Sequence, residues 1–286
     1  MKDIETFSGW SLSYIVELDI HRPGTAGAFL RASNERRQVI AALLASKPIP
    51  SCAHEAAALA AFIGTAKHAD ILSAAFPTVP SGLRGALARS GPQPHSPSFY
   101  RLLRKVLTSP EHKAAAKALK QLDRVDLERL LTARRLPDDI CTAKVVKVVA
   151  RPSNAVDVAA LIELFSRHGI HRPALAEAIS RVSNSKQLSE LWDRWSQKLV
   201  FPPHPVPASD NHTPITNGYE LRRIALRYRN CARHYLTKIM EGEAAFSEFR
   251  WGPAKAVIHL KREGAAWMLE GLFGKGNEVV PPGLRR

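Results

Sequence analysis

The sequence is poor in cysteine and aromatic residues and has no long apolar run. Its three cysteines, Cys52, Cys141 and Cys231, lie about ninety residues apart, which fits neither a disulfide framework nor closely spaced metal ligands. No apolar stretch approaches the eighteen or so residues that a membrane-spanning helix requires. The first ten residues mix charges of both signs and lack the apolar segment of a secretory signal, so we expect a cytoplasmic protein with no membrane partner.

Common catalytic motifs are missing as well. The sequence contains no HExxH, no GxGxxG and no GxSxG, and the segment Gly271–Asn277 lacks the spacing of a phosphate-binding Walker loop. The adjacent acids Asp138 and Asp139 are more typical of a helix start than of a shared ligand site. We therefore expect neither a cofactor nor a metal ion.

Positive charge is what the sequence has in excess. Its 286 residues include 41 Lys and Arg against 26 Asp and Glu, a formal net charge of +15. Such an excess attracts polyanions over long range, and nucleic acid is the commonest large polyanion in a cell. Hydrophobic residues at 45% and charged residues at 23% are ordinary globular values, which excludes a disordered or fibrous chain.

The apolar spacing divides the chain into three parts. From residue 51 to 196 apolar residues recur three and four apart between Pro and Gly residues, which predicts a mainly helical domain over 1–200. Trp10–Ile20 fits a strand or a buried helix equally well. Five prolines between Phe201 and Pro214 predict a linker over 201–216, because proline disfavours helices and central strands.

The part after the linker, 217–286, is predicted to be a small α+β domain. Alternating apolar residues indicate an antiparallel three-stranded sheet, with strands at Ala244–Trp251, Lys255–Lys261 and Ala265–Leu272. The expected fold class is thus α+β, with a helical N-terminal region followed by one helix and this sheet.

The helix of the C-terminal domain is strongly basic. Asn217 and Glu220 predict a capped start, and Gly242 a stop, so we expect one helix over 218–241. Its apolar stripe is Leu221, Ile224, Tyr228, Cys231, Tyr235 and Ile239. Its cations are Arg222, Arg223, Arg227, Arg229, Arg233 and Lys238. These cations repel one another, which favours a surface for nucleic-acid phosphates; the alternative is a solvated basic face.

Cys231 has two interpretations. Its place on the apolar stripe predicts a small buried side chain. Alternatively, nearby positive charge and His234 favour a thiolate nucleophile, or half of a zinc site that lacks a second pair of ligands. Two tyrosines beside arginines, Tyr100 and Tyr228, are candidates for stacking on nucleic-acid bases.

Several short motifs follow one another in a fixed order over about Ile215 to Pro282. A capped helix with Glu220-Leu221 is followed by Asn230-Cys231-x-x-x-Tyr235, then by Ile239-x-x-Gly242, then by the strands, and last by Gly274-x-x-Asn277. This order resembles the C-terminal region of PcfJ-like proteins, which conjugative plasmids and other mobile elements encode. The matching positions are Asn230, Cys231, Tyr235, Gly242, Gly274 and Asn277. The resemblance implies a role in DNA transfer or mobile-element biology and brings no established catalytic activity with it.

Three functions follow as hypotheses. The first is a basic accessory protein of a mobile-element, plasmid-transfer or phage-conflict system that binds the phosphate backbone of DNA or RNA. The second is an enzyme, a nuclease or transferase, that uses Cys231 and His234. The third is a scaffold whose helical region binds a protein partner.

Overall fold

The computed structural model describes residues 9–252 and 254–278. Within them the fold combines helices with one antiparallel sheet near the C-terminus, which confirms the predicted α+β class. The chain forms two compact units. The first reaches Ala159 and includes Ser180–Ser183; the second comprises Ala160–Ile179 and the chain from Asn184 onward. Residues 279–286, the end of the predicted C-terminal domain, lie outside the described range.

The regular elements of the first unit are all helices over the residues that the structure describes. Its elements are α1 (Ser11–His21), α2 (Thr25–Arg31), α3 (Asn34–Ser46), α4 (Ala53–Thr65), α5 (His68–Ala75), α6 (Leu83–Ala88), α7 (Pro97–Thr108), a 3₁₀ turn (Pro110–His112), α8 (Lys113–Gln121), α9 (Leu127–Arg135), α10 (Ala143–Val149) and the start of α11 (Pro152–Arg167). The ambiguous segment at Trp10–Ile20 is therefore a helix, and its Ile15 and Leu18 are fully buried.

Tyr100 belongs to the core of the first unit. It is 1% exposed, and its hydroxyl donates to Gln38 Oε1 at 2.7 Å and accepts from the backbone N–H of His95 at 3.0 Å. Gln38 in turn donates to the carbonyl of Gly91 at 2.9 Å. Because the ring of Tyr100 is buried and its hydroxyl is already hydrogen-bonded, a nucleotide base cannot stack on it, and the predicted base-stacking role of Tyr100 is wrong.

The second unit carries the sheet. It contains the end of α11, most of α12 (Arg172–Arg181), α13 (Ser185–Ser196), β1 (His212–Pro214), α14 (Gly218–Tyr228), a 3₁₀ turn (Ala232–Tyr235), α15 (Leu236–Met240), β2 (Ala244–Trp251), β3 (Ala254–Glu263), β4 (Ala266–Phe273) and a last 3₁₀ turn (Lys275–Asn277). The strand order is β1-β2-β3-β4, all antiparallel. The three predicted strands are present, and β1 is a fourth.

Much of the predicted linker, 201–216, is built into the second unit. Phe201 and Ile215 are buried in its core, and Ile215 N donates to the carbonyl of Phe246 at 2.9 Å. Pro214 is tolerated in β1 because this strand is at the edge of the sheet. The division between the compact units lies near residue 160 rather than within this proline-rich segment.

One face of α14 packs on the sheet. Leu221, Ile224 and Tyr228 of the helix join Phe246 of β2 and Val257 of β3 in one buried cluster. The helix spacing of three and four therefore matches the core as predicted up to Tyr228. The opposite face, which carries Arg222 and Arg223, is exposed to solvent.

Candidate functional site

The start of α14 is held by the predicted cap. Asn217 Oδ1 accepts from the backbone N–H of Glu220 at 2.9 Å, and Glu220 Oε2 accepts from the N–H of Thr216 at 2.8 Å. These bonds satisfy backbone donors that the first helical turn leaves free. At Gly218 a Cβ would lie 1.9 Å from the carbonyl oxygen of Ser196, so the close approach of α14 to the end of α13 requires glycine.

The predicted helix over 218–241 is wrong in its middle. The helix ends at Tyr228, and Arg229 adopts a left-handed backbone with φ 49° and ψ 48°. Asn230 N donates to the carbonyl of Ala225 at 3.1 Å, and Arg229 N donates to that of Leu226, which together form a Schellman motif. Glycine is the usual residue here, and an arginine costs about 1–2 kcal/mol. The reversal means that the six cations do not follow one helix.

A groove of about 500 Å³ lies beside α14 and the turn that follows it. We call it the arginine groove. Its polar walls include Arg222, Arg229, Asn230, Arg233, His234 and Asn277. Asn277 is a second non-glycine residue with positive φ, at 63°, so two left-handed residues line the same groove. Its volume lies within the range of ordinary ligand sites.

The guanidinium groups of the arginine groove are unpaired. In the described part of the chain, Arg222, Arg229 and Arg233 make no ion pair within 4.0 Å and no side-chain hydrogen bond. Asp193 is the one acidic residue that lines the groove among the described residues. Three guanidinium groups against one carboxylate leave a surplus of positive charge, and guanidinium geometry matches phosphate oxygens.

The other three predicted cations lie elsewhere. Arg227 donates to Glu248 Oε1 at 2.6 Å and is thereby neutralised within the protein. Arg223 is exposed but does not line the groove. Lys238 sits 5.6 Å from the ring centre of Tyr235, beside a different cleft. Only half of the predicted set therefore shares one site.

Glu248 is a buried partner of this basic segment that the sequence pattern does not predict. It is 5% exposed, and the same Oε1 that accepts from Arg227 also accepts from the Tyr228 hydroxyl at 2.7 Å. Burial raises the pKa of Glu248, but the hydrogen bonds from Tyr228 and Arg227 outweigh it, so the pKa lies below its ordinary value. Burial and the bond to Glu248 raise the pKa of Tyr228. One feature of the sequence points to this role: Glu248 lies two residues after Phe246 in the alternating pattern of β2, on the side of the strand that is expected to face the core.

These contacts also exclude the base-stacking role predicted for Tyr228. The side chain is 5% exposed and its hydroxyl is bonded to Glu248. Its ring belongs to the core cluster, where no nucleotide can reach it.

Cys231 is exposed, so the prediction of a buried side chain is wrong. The left-handed turn at Arg229 removes Cys231 from the apolar stripe of α14. His234, also exposed, donates its backbone N–H to the carbonyl of Cys231 at 2.9 Å, and residues three apart in a 3₁₀ turn lie on the same side. The thiol and imidazole line the groove together without a hydrogen bond between them. The described residues include no group of three His, Cys, Asp or Glu suited to a metal ion.

The PcfJ-like motif positions divide between several places. Asn230, Cys231 and Asn277 line the arginine groove. Gly242, with φ 72°, follows the end of α15, where its N–H donates to the carbonyl of Ile239 at 3.0 Å. Gly274 N donates to the carbonyl of Glu278 at 2.8 Å, after β4. Tyr235 packs against Phe246 and His259.

Comparisons with known proteins identify no relative. No protein-family model matches the chain, and neither the curated proteins nor the solved structures include a significant match. The resemblance to PcfJ-like proteins therefore stays a prediction. Among the described residues, no helix combines the length and apolar character needed to traverse a lipid bilayer.

Proposed function

We propose that this protein binds nucleic acid through its phosphates and that the arginine groove is the contact surface. The observation that carries the proposal is the grouping of Arg222, Arg229 and Arg233, without carboxylate partners, along one groove. Unpaired cations held close together raise the free energy of the isolated protein, and a bound polyanion relieves that repulsion.

Each part of the groove has a role in this proposal. The three arginines bind phosphate oxygens, with two parallel hydrogen bonds where the geometry allows. The side-chain amides of Asn230 and Asn277 supply further hydrogen bonds to phosphate or sugar. The formal net charge of +15 steers the polyanion toward the protein from a distance. Binding of this kind is largely independent of base sequence.

A double variant tests the proposal. Arg222→Ala with Arg233→Ala removes two charges from the groove, whereas Arg250→Ala with Lys255→Ala removes two exposed charges from strands β2 and β3 outside it. With a labelled mixed-sequence oligonucleotide, the groove variant binds roughly 10- to 100-fold more weakly, as expected for two lost charge-assisted contacts. The control stays within about threefold of the unaltered protein. Equal losses in both variants would mean that net charge alone, and not the groove, is responsible.

The biological setting is proposed from the motif order. The resemblance to PcfJ-like proteins supports an accessory role in the cytoplasm, in a mobile-element, plasmid-transfer or phage-conflict system. Phosphate-backbone binding suits that role because such a protein must act on nucleic acids of varied sequence.

A second candidate function is thiol chemistry in the same groove, as a nuclease or transferase. It is favoured by the exposure of Cys231 and His234 beside Arg229 and Arg233. Cys231→Ser separates the two candidates. A thiol enzyme predicts that the unaltered protein turns over a nucleic-acid substrate and that the variant binds this substrate without turnover, whereas phosphate binding alone predicts equal affinity and no turnover for both proteins.

A further inference from the structure

The second unit has another cleft, of about 540 Å³, which shares no residue with the arginine groove. We call it the His259 cleft. The side chains used below are Tyr235, Lys238, Glu243, His259, Arg262 and Glu270. It lies beside β3 and β4, on the side of the sheet that His259 shares with Phe246.

A β-bulge in β4 places the acidic residue Glu270 at the cleft. In the pairing of β3 with β4, His259 is opposite Gly271 and the next residue, Leu260, is opposite Leu269, which leaves Glu270 without a partner. An extra residue of this kind re-aims a side chain, and bulges are common beside binding sites. Glu270 accordingly lines the cleft with His259. The negative charge of Glu270 favours the protonated imidazole and opposes the lowering of the His259 pKa by burial.

His259 is a buried side chain that makes no side-chain hydrogen bond with any other described residue. It is 6% exposed, its ring stacks on Phe246 with centroids 4.5 Å apart, and the edge of Tyr235 approaches it at 4.6 Å. No ring nitrogen of His259 is hydrogen-bonded within the described chain. Burial lowers the pKa of His259 and outweighs the opposing effect of the Glu270 charge, and Lys238 makes a smaller contribution in the same direction as burial. A neutral imidazole offers one donor and one acceptor, and both are unused.

Charges of both signs line the cleft without pairing with one another. Among the described residues, Lys238 and Arg262 form no ion pair within 4.0 Å of Glu243 or Glu270, although all four line the same space. Lys261, the third cation of the cleft, pairs with Glu263 at 3.3 Å. Arg262 Nε donates to the carbonyl of Gly264 at 3.1 Å, which leaves its terminal nitrogens available. A simple anion would satisfy the cations and be repelled by the carboxylates, so the cleft suits a ligand that has an anionic group and hydrogen-bond donors.

We propose that the His259 cleft binds one nucleotide that has an exocyclic amino group on its base. Lys238 and Arg262 contact the phosphate, and the carboxylates of Glu243 and Glu270 accept hydrogen bonds from the base. Carboxylates accept from the N4 amino group of cytosine, and aromatic side chains such as Tyr235 provide surfaces for unstacked bases. The nucleotide is either free or part of a strand, and in the second case this inference rests on the proposed function.

Calorimetry on the full chain tests the ligand class. CMP has an amino group at position 4, with two N–H donors, where UMP has a carbonyl acceptor; UMP has instead a single donor at N3, so only CMP can donate from one amino group to both carboxylates. CMP is expected to bind about tenfold more tightly than UMP, and inorganic phosphate more weakly than either. Glu270→Gln, at an exposed position, is expected to reduce the preference for CMP to less than about threefold, and Glu243→Gln to reduce it in the same direction.

Two results of the same calorimetry would overturn the proposal. Equal affinity for CMP, UMP and phosphate would identify an anion site and overturn the proposal, as would no binding of CMP by the folded protein. A short oligocytidine distinguishes the two sources of the nucleotide. If the site holds a strand, the oligomer binds more tightly than CMP and loses affinity in Glu270→Gln; if the nucleotide is free, CMP binds at least as well as the oligomer.

The proposals for the arginine groove and for the His259 cleft can be tested separately. The arginine-groove variant Arg222→Ala with Arg233→Ala is expected to keep CMP binding while losing affinity for a long mixed-sequence strand. Glu270→Gln is expected to keep most of its affinity for that strand. If the unaltered protein prefers CMP over UMP but does not bind the long strand, the proposed function alone is contradicted. If it binds the long strand but shows no preference for CMP over UMP, the assignment of the His259 cleft alone is contradicted.

Discussion

The Arg227 guanidinium lies 2.6 Å from the buried Oε1 of Glu248, an oxygen that also accepts from Tyr228. This contact joins the end of α14 to the middle of β2. It also separates Arg227 from Arg222, Arg229 and Arg233, whose guanidinium groups have no such partner in the described chain. Of the five arginines in the basic segment, Arg227 therefore stabilises the fold, Arg222, Arg229 and Arg233 are available to a ligand in the arginine groove, and Arg223 is exposed outside it.

Arg227→Ala should destabilise the second unit by about 1–3 kcal/mol. The variant leaves a buried carboxylate with Tyr228 as its one remaining hydrogen-bond donor, and the partial exposure of Arg227 keeps the loss below that of a fully buried pair. Urea unfolding measures the difference. Arg222→Ala, which removes an unpaired arginine, is the matched control and should change the free energy of unfolding by less than about 0.5 kcal/mol.

Acid should weaken the fold partly through Glu248. Because its pKa in the folded protein lies below the ordinary 4.5, its ionised form contributes stability that is present above pH 4.5 and is lost as pH falls through the folded pKa. Glu248→Gln should therefore lose less stability than the unaltered protein as pH falls from 5 toward about 3. Parallel curves of unfolding free energy against pH for the two proteins would contradict this role.

Gly218→Ala should be strongly destabilising, by about 3 kcal/mol. The new Cβ would meet the carbonyl oxygen of Ser196 at 1.9 Å, and the backbone on both sides would have to move. Gly64→Ala is a useful comparison because no atom lies within 4 Å of the added Cβ in helix α4. That change should be neutral or stabilising by up to about 1 kcal/mol. Similar melting temperatures for both variants would exclude the close approach at Gly218.

Replacing Arg229 should separate stability from binding. Arg229→Gly relieves the left-handed backbone and is expected to stabilise the protein by about 1 kcal/mol, while it weakens oligonucleotide binding through loss of a cation. Arg229→Ala should weaken binding similarly without the gain, because alanine has the same steric conflict. Thermal unfolding and fluorescence anisotropy on the three proteins test both expectations. A glycine variant that is no more stable than the alanine variant would exclude strain at this position.

Local patterns were enough to predict part of this fold. The alternation of apolar residues located β2, β3 and β4 to within about three residues, and Asn217 was recognised as a helix cap. These features depend on side chains close together along the chain, which is what periodicity and capping rules describe. The short strand β1 was missed because its pairing with β2 is decided by distant residues, while its own segment is rich in proline.

The site depended on features that no local pattern contains. Arg229 was expected inside a helix because arginine rarely takes a left-handed backbone, and this one residue moves Cys231 out of the core. The groove also requires Asn277, which lies beyond the sheet in sequence. The sequence predicts that the segment is basic. Which of its arginines is paired depends on where Glu248 lies in the fold, and no local pattern contains that information.

The most direct test of the central claim is the salt dependence of oligonucleotide binding by the groove variant Arg222→Ala with Arg233→Ala. If these side chains contact phosphates, the slope of log K against log salt concentration should become shallower by about 1.4–1.8, the contribution of two released counterions. The matched variant Arg250→Ala with Lys255→Ala should keep the slope of the unaltered protein. An unchanged slope in the groove variant would contradict phosphate binding by the arginine groove.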